Sequence, residues 1–313
     1  MKTGLVVDSG CDLPSDFIKE NGILVLPASI RLGDEIIADD RSPQRTRSFY
    51  DRQLLDKVHD AQSLPATVAQ IKQLFLEQVV PHCDYALVET VLQSRSPIFH
   101  NATEAAHGIL SEYRAVRDRA GLQGPFAVRV IDSQTLFAGQ GALAAETVRL
   151  MATGMRGAEL RARVSALAGK ATGYAVVPDL YYLRQRARKK GDNSVGLVGA
   201  LLGSALDIKP ILCARGGETF PVAKIRGFAQ GVARLFEHGT RCIEKGLLSP
   251  VLCVSYAGDP QAVYQMPGFE ALKSCADRHQ VRLLVSSMGL TGSVNIGPGA
   301  LSIGLLTEQQ DFA

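Results

Sequence analysis

The sequence has no large excess of charge of either sign and no long hydrophobic run. Its 34 basic and 31 acidic residues leave a net charge of +3, so no overall field favours nucleic acid or a membrane surface. The longest apolar stretch, residues 195–206, is broken by glycines and a serine and is too short to span a bilayer. Asp8 interrupts the first apolar run too early for a signal peptide. We therefore expect a cytoplasmic protein without stable membrane insertion.

Paired cysteines and metal-ligand spacings are also missing. The six cysteines form no C-x-x-C pair, and several lie in apolar, strand-like runs. This pattern favours reduced thiols in the core over disulfides or a zinc site. The six histidines are dispersed along the chain. The sequence therefore predicts no metal and no cofactor.

Motifs for nucleotide binding and for nucleophilic catalysis are absent as well. Gly139-x-Gly141 lacks the third glycine of a dinucleotide-binding turn, and there is no Walker lysine motif. No serine lies in a G-x-S-x-G turn. Asp8 and Asp132 each end a predicted strand and could form a carboxylate pair, but Asp in such a turn is more often a local cap. We expect a protein that is not an enzyme.

What the chain does contain is an alternation of strand and helix patterns. In the first half, apolar runs at residues 4–7, 85–92 and 126–131 alternate with amphipathic segments. This order indicates a mostly parallel sheet flanked by helices. Residues 23–31 predict a further strand, Gly33-Asp34 before residues 35–38 predicts a hairpin return, and Ser42-Pro43 predicts a helix start. The alternation of strands and helices therefore predicts an α/β fold.

The length of 313 residues is sufficient for two domains. Gly154 and Gly157 separate two helical patterns where the composition changes. We place the boundary there, with an N-terminal α/β domain at residues 1–155 and a C-terminal α/β domain at residues 156–313. The last strands could pack back on the first domain. Within the second domain, residues 195–206 predict a glycine-rich apolar helix, and Gly216-Gly217 predicts a turn after the strand at residues 208–214.

The stretch YALVETVLQSRSPIFHNA, residues 85–102, reads as a strand, a polar loop and a helix start. Serine is a favoured N-cap and proline suits the first helical position, so Ser96 and Pro97 mark a helix N-terminus beyond the carboxyl end of a strand. Open α/β sheets bind ligands at such places, because unpaired N–H groups and the helix dipole face the crevice. Taken alone, a serine there more often only caps its helix.

Thr67 is a second hydroxyl residue at a predicted helix start, after the irregular residues 63–66. If its helix and the helix that follows Ser96 flank the same strand edge, the two hydroxyls and nearby backbone N–H groups converge on one anion. That arrangement suits a carboxylate. Thr67 and Ser96 are therefore the candidate ligand-binding residues.

A dense basic run occupies residues 184–190 and follows Tyr181 and Tyr182. It could contact nucleic acid or a phosphate-bearing partner. The alternative is a solvated helix end, where basic side chains complement the helix dipole. We favour the helix end, with docking of a partner as its rival, and expect no nucleic acid.

Several segments, in order along the chain, resemble the DegV family of bacterial fatty-acid-binding proteins. Residues 6–14, VVDSGCDLP, are similar to the family's V-T-D-S-x-x-D-L-P, and residues 65–67 to the start of its P-x-T-S-Q-P. Residues 93–102 occupy the place of its S-S-x-L-S-G-T-Y-x-x-A. The later matches are VIDS at 130–133, Asp179-Leu180 with Tyr182-Leu183, IKPIL at 208–212, KIRG at 224–227 and Gly297-Pro298-Gly299.

The resemblance implies a two-domain DegV-like fold with a lipid site between the domains. It implies that one long-chain, palmitate-like fatty acid is buried there, with its carboxylate held by Thr67 and Ser96. The protein would then carry this acid in lipid transport or fatty acid metabolism. The alternative within the family is a subunit that presents the acyl chain to a fatty acid kinase, which makes acyl phosphate. A fatty acid kinase or an acyltransferase would then be a partner protein.

The sequence departs from the family pattern at the places that matter for these roles. Pro97 follows the site serine where glycine is usual, which removes a backbone N–H donor, and Val68 replaces serine. RQRARKKGDNSV at residues 184–195 replaces a Gly-Gly-Arg-Ile segment, and Asn295 replaces the histidine before Gly-Pro-Gly. In kinase partners that arginine and histidine are associated with phosphoryl transfer. The sequence therefore favours lipid binding over kinase partnership.

Overall fold

The computed structural model describes residues 1–55, 61–190, 207–308 and 311–312, with side chains except those of 186–190. The strands are β1 (Thr3–Asp8), β2 (Leu24–Leu26), β3 (Ala28–Leu32), β4 (Glu35–Asp39), β5 (Ala61–Leu64), β6 (Tyr85–Thr90), β7 (Ala127–Asp132), β8 (Ala171–Val176), β9 (Ile208–Arg215), β10 (Glu218–Arg226), β11 (Val251–Tyr256), β12 (Arg282–Ser287) and β13 (Leu301–Leu306). The α-helices are α1 (Ser15–Glu20), α2 (Pro43–Asp51), α3 (Val68–Leu74), α4 (Ile98–Gly108), α5 (Tyr113–Arg119), α6 (Ala138–Ala152), α7 (Gly157–Ala168), α8 (Tyr181–Lys190), α9 (Phe228–Lys245), α10 (Phe269–Arg278) and α11 (Leu290–Ile296).

The first sheet is parallel throughout, in the order β2-β1-β6-β7, as the alternation of patterns predicts. Successive side chains of a strand point to opposite faces. Val6 accordingly joins the buried cluster formed with α3 and α4, whereas Leu5 and Val7 join the cluster formed with α6 and α7. Helices thus cover both faces of this sheet, which explains the apolar sequences of its strands.

The single strand predicted at residues 23–31 is wrong, because Pro27 divides it. β2 pairs with β1 in the first sheet, whereas β3 pairs with β4 and β5 in a small antiparallel sheet. Proline has no N–H to donate to a strand ladder, so pairing stops there and the chain changes sheets. The hairpin return after Gly33 is present as β4.

The second sheet has the order β10-β9-β8-β13-β11-β12 and is mixed, with β11 and β12 parallel and the other pairs antiparallel. Its outer hairpin turns at Gly216 and Gly217, whose φ angles are 59° and 83°. Positive φ at both central residues matches the right-handed twist of the flanking strands, and glycine adopts it without strain. The sequence pattern predicted this turn but not the long strand β10 that follows it.

Helix α6 lies between the two large sheets and contacts both. A Cβ atom added at Gly304 of β13 would lie 2.0 Å from the carbonyl carbon of Ala138, at the start of α6. One added at Gly139 would lie 2.8 Å from the backbone nitrogen of Gly173 in β8. The helix backbone therefore rests directly on the second sheet, which leaves no room for side chains at these positions.

Two predictions about the second half are not tested by these elements. The apolar helix predicted at residues 195–206 lies outside the described residues. The domain boundary after residue 155 stays a prediction. Helix α7, which that boundary assigns to the second domain, contributes Leu160 and Val164 to the same buried cluster as Leu5 of β1. In the described part of the chain, no helix is long and apolar enough to cross a membrane.

Candidate functional site

A largely apolar cavity of about 390 Å³ lies between the two large sheets. From the first sheet it is lined by residues at the carboxyl ends of the strands, including Asp8 and Leu26. From the second sheet it is lined by Tyr174 of β8, Leu212 of β9 and Phe220 of β10. Its volume is within the range of small-molecule sites, roughly 300 to 1,000 Å³. Its position, outside the carboxyl ends of parallel strands, is the expected ligand site of an open α/β sheet.

Phe137, directly before α6, lines this cavity and has a φ of 53°. A bulky residue with positive φ is strained, and it keeps that conformation only where its surroundings fix it. Here the surrounding contacts are those of α6 with the second sheet. These contacts therefore hold Phe137 in its strained conformation as part of the cavity wall.

Asp8 ends β1 and organises the polar loops at this edge of the sheet. Its carboxylate accepts hydrogen bonds from the backbone N–H groups of Gly10 and Val91, at 2.7 and 2.5 Å. Burial raises the pKa of Asp8 to about 6, although these N–H donors act in the opposite direction. Asp132 similarly accepts the N–H of Gln134 at 2.9 Å. Both residues thus act as local caps, which supports that interpretation over a catalytic carboxylate pair.

Ser96 lies on the loop after β6, half-buried, and lines the cavity. Its hydroxyl accepts the N–H of Ile98 at 3.3 Å. Helix α4 begins at Ile98 with Pro97 as its N-cap, so the boundary is one residue later than predicted. The physical reason is that Pro97 has no N–H, and the first donor that the serine hydroxyl reaches belongs to Ile98. Since the hydroxyl accepts this bond, its own proton can be donated to a ligand.

Thr67 is the N-cap of α3, as predicted, and forms a capping box with Gln70. Its hydroxyl donates to Gln70 Oε1 at 3.0 Å and accepts the N–H of Gln70 at 3.3 Å. The side chain is exposed, and Pro65, two residues earlier, is the neighbour that lines the cavity. The role of Thr67 as a ligand-binding residue therefore stays a prediction.

The structure does bring the starts of α3 and α4 together. Asn101 of α4 donates a hydrogen bond of 2.8 Å from its amide to the carbonyl oxygen of Ala66, the residue before Thr67. Both helices pack on the same face of the first sheet, on either side of β6 in sequence. The two helices thus flank the same strand edge, which was the condition for the two hydroxyls to converge on one anion. Convergence of the hydroxyls themselves stays a prediction.

Arg95 is a cavity residue that the sequence patterns missed. Its side chain is half-buried, lines the cavity beside Ser96, and donates a hydrogen bond to the hydroxyl of Thr219 in β10. Ser94 donates to the carbonyl oxygen of Gly217 at 3.0 Å, so the same loop contacts the β9–β10 hairpin twice. The sequence did contain one signal for Arg95, a basic residue directly before Ser96, which is the candidate for binding a carboxylate.

Asn295 of α11 also lines the cavity. Its amide donates to the carbonyl oxygen of Thr291 at 2.6 Å and lies 3.5 Å from the Ser63 hydroxyl. An amide does not titrate near neutral pH, so it cannot exchange a proton as histidine does. This side chain holds α11 against β5 at the cavity wall.

The described residues contain no group of three or more His, Cys, Asp or Glu side chains that could hold a metal ion. All six cysteines lie among them, and each is buried and free.

Most side chains of the basic run 184–190 lie outside the described residues, so docking of a partner there stays a prediction. What the cavity offers is apolar surface with a few polar groups at the β6–α4 loop, an arrangement suited to an amphiphile.

Comparisons with known proteins agree over the whole chain. A family model described as "Uncharacterised protein, DegV family" matches residues 2–308. A DegV domain-containing protein of Xanthomonas campestris pv. campestris is 47% identical over 313 residues, covering 100% of both chains. Another from Streptomyces coelicolor is 27% identical over 319 residues, covering 96% of each.

The fold is similar to solved structures. One is a stearic acid-binding protein from Eubacterium ventriosum, with a TM-score of 0.77, 19% identity, and coverage of 97% of this chain and 98% of that one. Another is a Thermotoga maritima protein described as revealing fatty acid binding function, with a TM-score of 0.74, 20% identity, and coverage of 98% and 100%. The α/β architecture, a parallel sheet flanked by helices together with a separate second sheet, is that of DegV structures. Because the family model covers residues 2–308, this chain belongs to the DegV family.

Proposed function

We propose that the protein binds one long-chain, palmitate-like fatty acid in the cavity between its two large sheets. The observation that carries the proposal is the cavity itself, whose walls are mostly apolar and whose polar groups include Ser96. Similar structures from Eubacterium ventriosum and Thermotoga maritima are described as binding fatty acids. Their fold is the fold of this chain.

Burial of the acyl chain supplies most of the expected affinity. At roughly 0.8 kcal/mol per methylene, a long tail offers on the order of 10 kcal/mol before the costs of ordering. Hydrogen bonds to a charged head contribute roughly 1.5 to 3 kcal/mol each. The tail would therefore set the affinity, and the head contacts would fix the orientation.

In this proposal the carboxylate is held by Ser96 and Thr67. The Ser96 hydroxyl keeps the N–H of Ile98 as its donor and turns its own proton to the ligand. The Thr67 hydroxyl then donates to the ligand instead of to Gln70 Oε1. Gln70 Oε1 still accepts the backbone N–H of Thr67, at 2.9 Å. The capping box is thereby kept in part.

The proposed role is that of a non-catalytic carrier in lipid transport or fatty acid metabolism, acting in the cytoplasm. Six buried, unpaired thiols suit a reducing compartment. The alternative role is presentation of the acyl carboxylate to a fatty acid kinase or an acyltransferase. Because the Asn295 amide does not titrate, we assign it no role in phosphoryl transfer.

Native mass spectrometry of protein purified from cells, before and after removal of lipid, tests the proposal. We expect one acyl chain per protein and uptake of added palmitate by the delipidated protein. A series of saturated acids from C8 to C16 then measures the affinity per methylene, which should rise steadily with length. A bare mass together with no uptake of palmitate would refute fatty acid binding.

A further inference from the structure

The loop that presents Ser96 also presents a permanent positive charge to the cavity. Arg95 lines the cavity directly before Ser96, and its guanidinium is bonded to the hydroxyl of Thr219, which lines the cavity as well. Arginine stays protonated at every physiological pH, and its side chain carries N–H donors in a planar fork that matches a carboxylate. This charge therefore lies at the wall of a mostly apolar site.

The backbone at this place is short of a donor. Pro97 has no N–H, so of the residues that follow Ser96 the first to carry one is Ile98, and that N–H already donates to the Ser96 hydroxyl. A carboxylate bound beside Ser96 therefore has fewer backbone donors at this helix start, and further donors would strengthen its binding. The Arg95 guanidinium is on the same loop and can supply them.

Among the described residues that line the cavity, the other charged side chain is turned to the backbone. Asp8 lines the cavity, but its two carboxylate oxygens accept the N–H groups of Gly10 and Val91. These bonds direct its negative charge into the loops. The polar surface near Ser96 therefore favours an anion through Arg95.

We propose that Arg95 binds the ionised head of the ligand and makes the site selective for free acids over neutral lipids with the same tail. This inference rests on the proposed fatty acid site and names the head group that the site selects. A charge-assisted hydrogen bond is about twice as strong as a neutral one, so the selectivity would come mainly from this guanidinium. Thr219 holds the guanidinium from the facing sheet and acts as a positioning residue.

Titration of delipidated protein with palmitate and, separately, with 1-hexadecanol tests this inference. For Arg95→Met we expect palmitate to bind roughly 10- to 100-fold more weakly, since a charge-assisted contact is lost, and hexadecanol to change less than about threefold. Arg95→Lys keeps the charge and should recover part of the loss. Thr219→Val should weaken palmitate by a smaller factor than Arg95→Met. Arg129→Met, an exposed arginine of β7, controls for net charge.

The outcomes separate the two proposals. Equal weakening of palmitate and hexadecanol by Arg95→Met would show that Arg95 only shapes the cavity wall, and an unchanged palmitate affinity would show that the head lies elsewhere. Either result overturns the role of Arg95 and leaves fatty acid binding in place. If the wild-type protein takes up neither compound, the proposed function itself fails.

Discussion

Arg41 and Asp12 form a buried ion pair of 3.0 Å that joins the first sheet to the start of α11. The guanidinium of Arg41 also donates to the carbonyl oxygen of Ser287 at 2.9 Å, and Asp12 accepts the N–H of Gly289 at 2.9 Å. Helix α11 supplies cavity residues such as Asn295. This pair therefore positions one wall of the cavity from the loop that follows β1.

Arg41→Met should destabilise the protein by roughly 3 to 5 kcal/mol at neutral pH, because it leaves buried carboxylates without their cation. Burial already raises the pKa of Asp12 and of Asp39, and Arg41 counteracts it in both. Without Arg41 the folded state holds these protons more tightly than the unfolded state, so stability rises as pH falls.

Urea unfolding at pH 5 and pH 8 measures this effect. The difference in free energy of unfolding between wild type and Arg41→Met should be smaller at pH 5 than at pH 8. Arg45 is exposed and paired with Asp40, so Arg45→Met should cost little stability at either pH. A gap of the same size at both values would contradict the assignment of the loss to ionised Asp12 and Asp39.

Ser96→Ala should weaken palmitate binding by roughly 1.5 to 3 kcal/mol, since a hydrogen bond to a charged group is lost. Ser94→Ala is the matched control, because Ser94 is on the same loop and bonds the carbonyl oxygen of Gly217. Calorimetric titration gives both affinities. Unchanged palmitate affinity in Ser96→Ala would remove Ser96 from the site.

Thr67→Ala should weaken palmitate binding and also cost about 1 kcal/mol of stability, since it removes an N-cap. Thr67→Ser keeps a hydroxyl and the cap, so it separates the two effects. The double variant Thr67→Ala/Ser96→Ala should show an altered ligand pose in a crystal structure of the complex. Wild-type affinity and pose in the double variant would refute the carboxylate assignment.

Glu89 of β6 is buried and shares one hydrogen bond of 2.5 Å with the Thr147 hydroxyl. Burial raises its pKa from 4.5 to about 7, which the Thr147 bond opposes. Between these values the folded protein binds more protons than the unfolded chain, so this carboxyl makes stability fall as pH rises, by at most about 1.4 kcal/mol per pH unit.

Glu89→Gln should therefore gain stability relative to wild type as pH rises from 5 to 7.5. Thermal unfolding across this range measures the difference, with the exposed Glu104→Gln on α4 as control. Parallel stability curves for wild type and Glu89→Gln would mean that the carboxyl does not titrate in this window.

Gly304→Ala should cost more than about 3 kcal/mol, because overpacking against backbone cannot be relieved by a side-chain rotation. Its Cβ would lie 2.0 Å from the carbonyl carbon of Ala138. Gly108→Ala is the control, since its Cβ would make an ordinary contact of 3.6 Å with Lys72 Cδ. A small loss for Gly304→Ala, by urea unfolding, would show that α6 can move away from β13.

Local sequence patterns predicted the structure well where interactions between neighbouring residues determine it. Ser42 caps α2 and Pro43 occupies its first turn, as the sequence indicates. Thr67 caps α3 in the same way. These are bonds between residues three positions apart, and the side chains that form them can be read directly from the sequence. The parallel sheet was predictable for a similar reason, since its strands recur with helices between them.

The parts that sequence patterns missed depend on distant segments. Arg95 reads as one residue of a polar loop, and it becomes a cavity residue because Thr219, 124 positions later, faces it from β10. β10 itself was missed, although the Gly216-Gly217 turn before it was predicted. Strain at Phe137 likewise depends on the packing of α6 between two sheets, which no local pattern shows.

The cavity has walls from both large sheets, and the β6–α4 loop already contacts the β9–β10 hairpin through Ser94 and Arg95. An acyl chain bound there would be a removable piece of hydrophobic core, in contact with both sheets at once. Its loss would uncover apolar wall on each sheet and weaken their attachment. Loaded protein would then melt as one cooperative unit at a higher temperature, and delipidated protein would let the two sheets melt more independently.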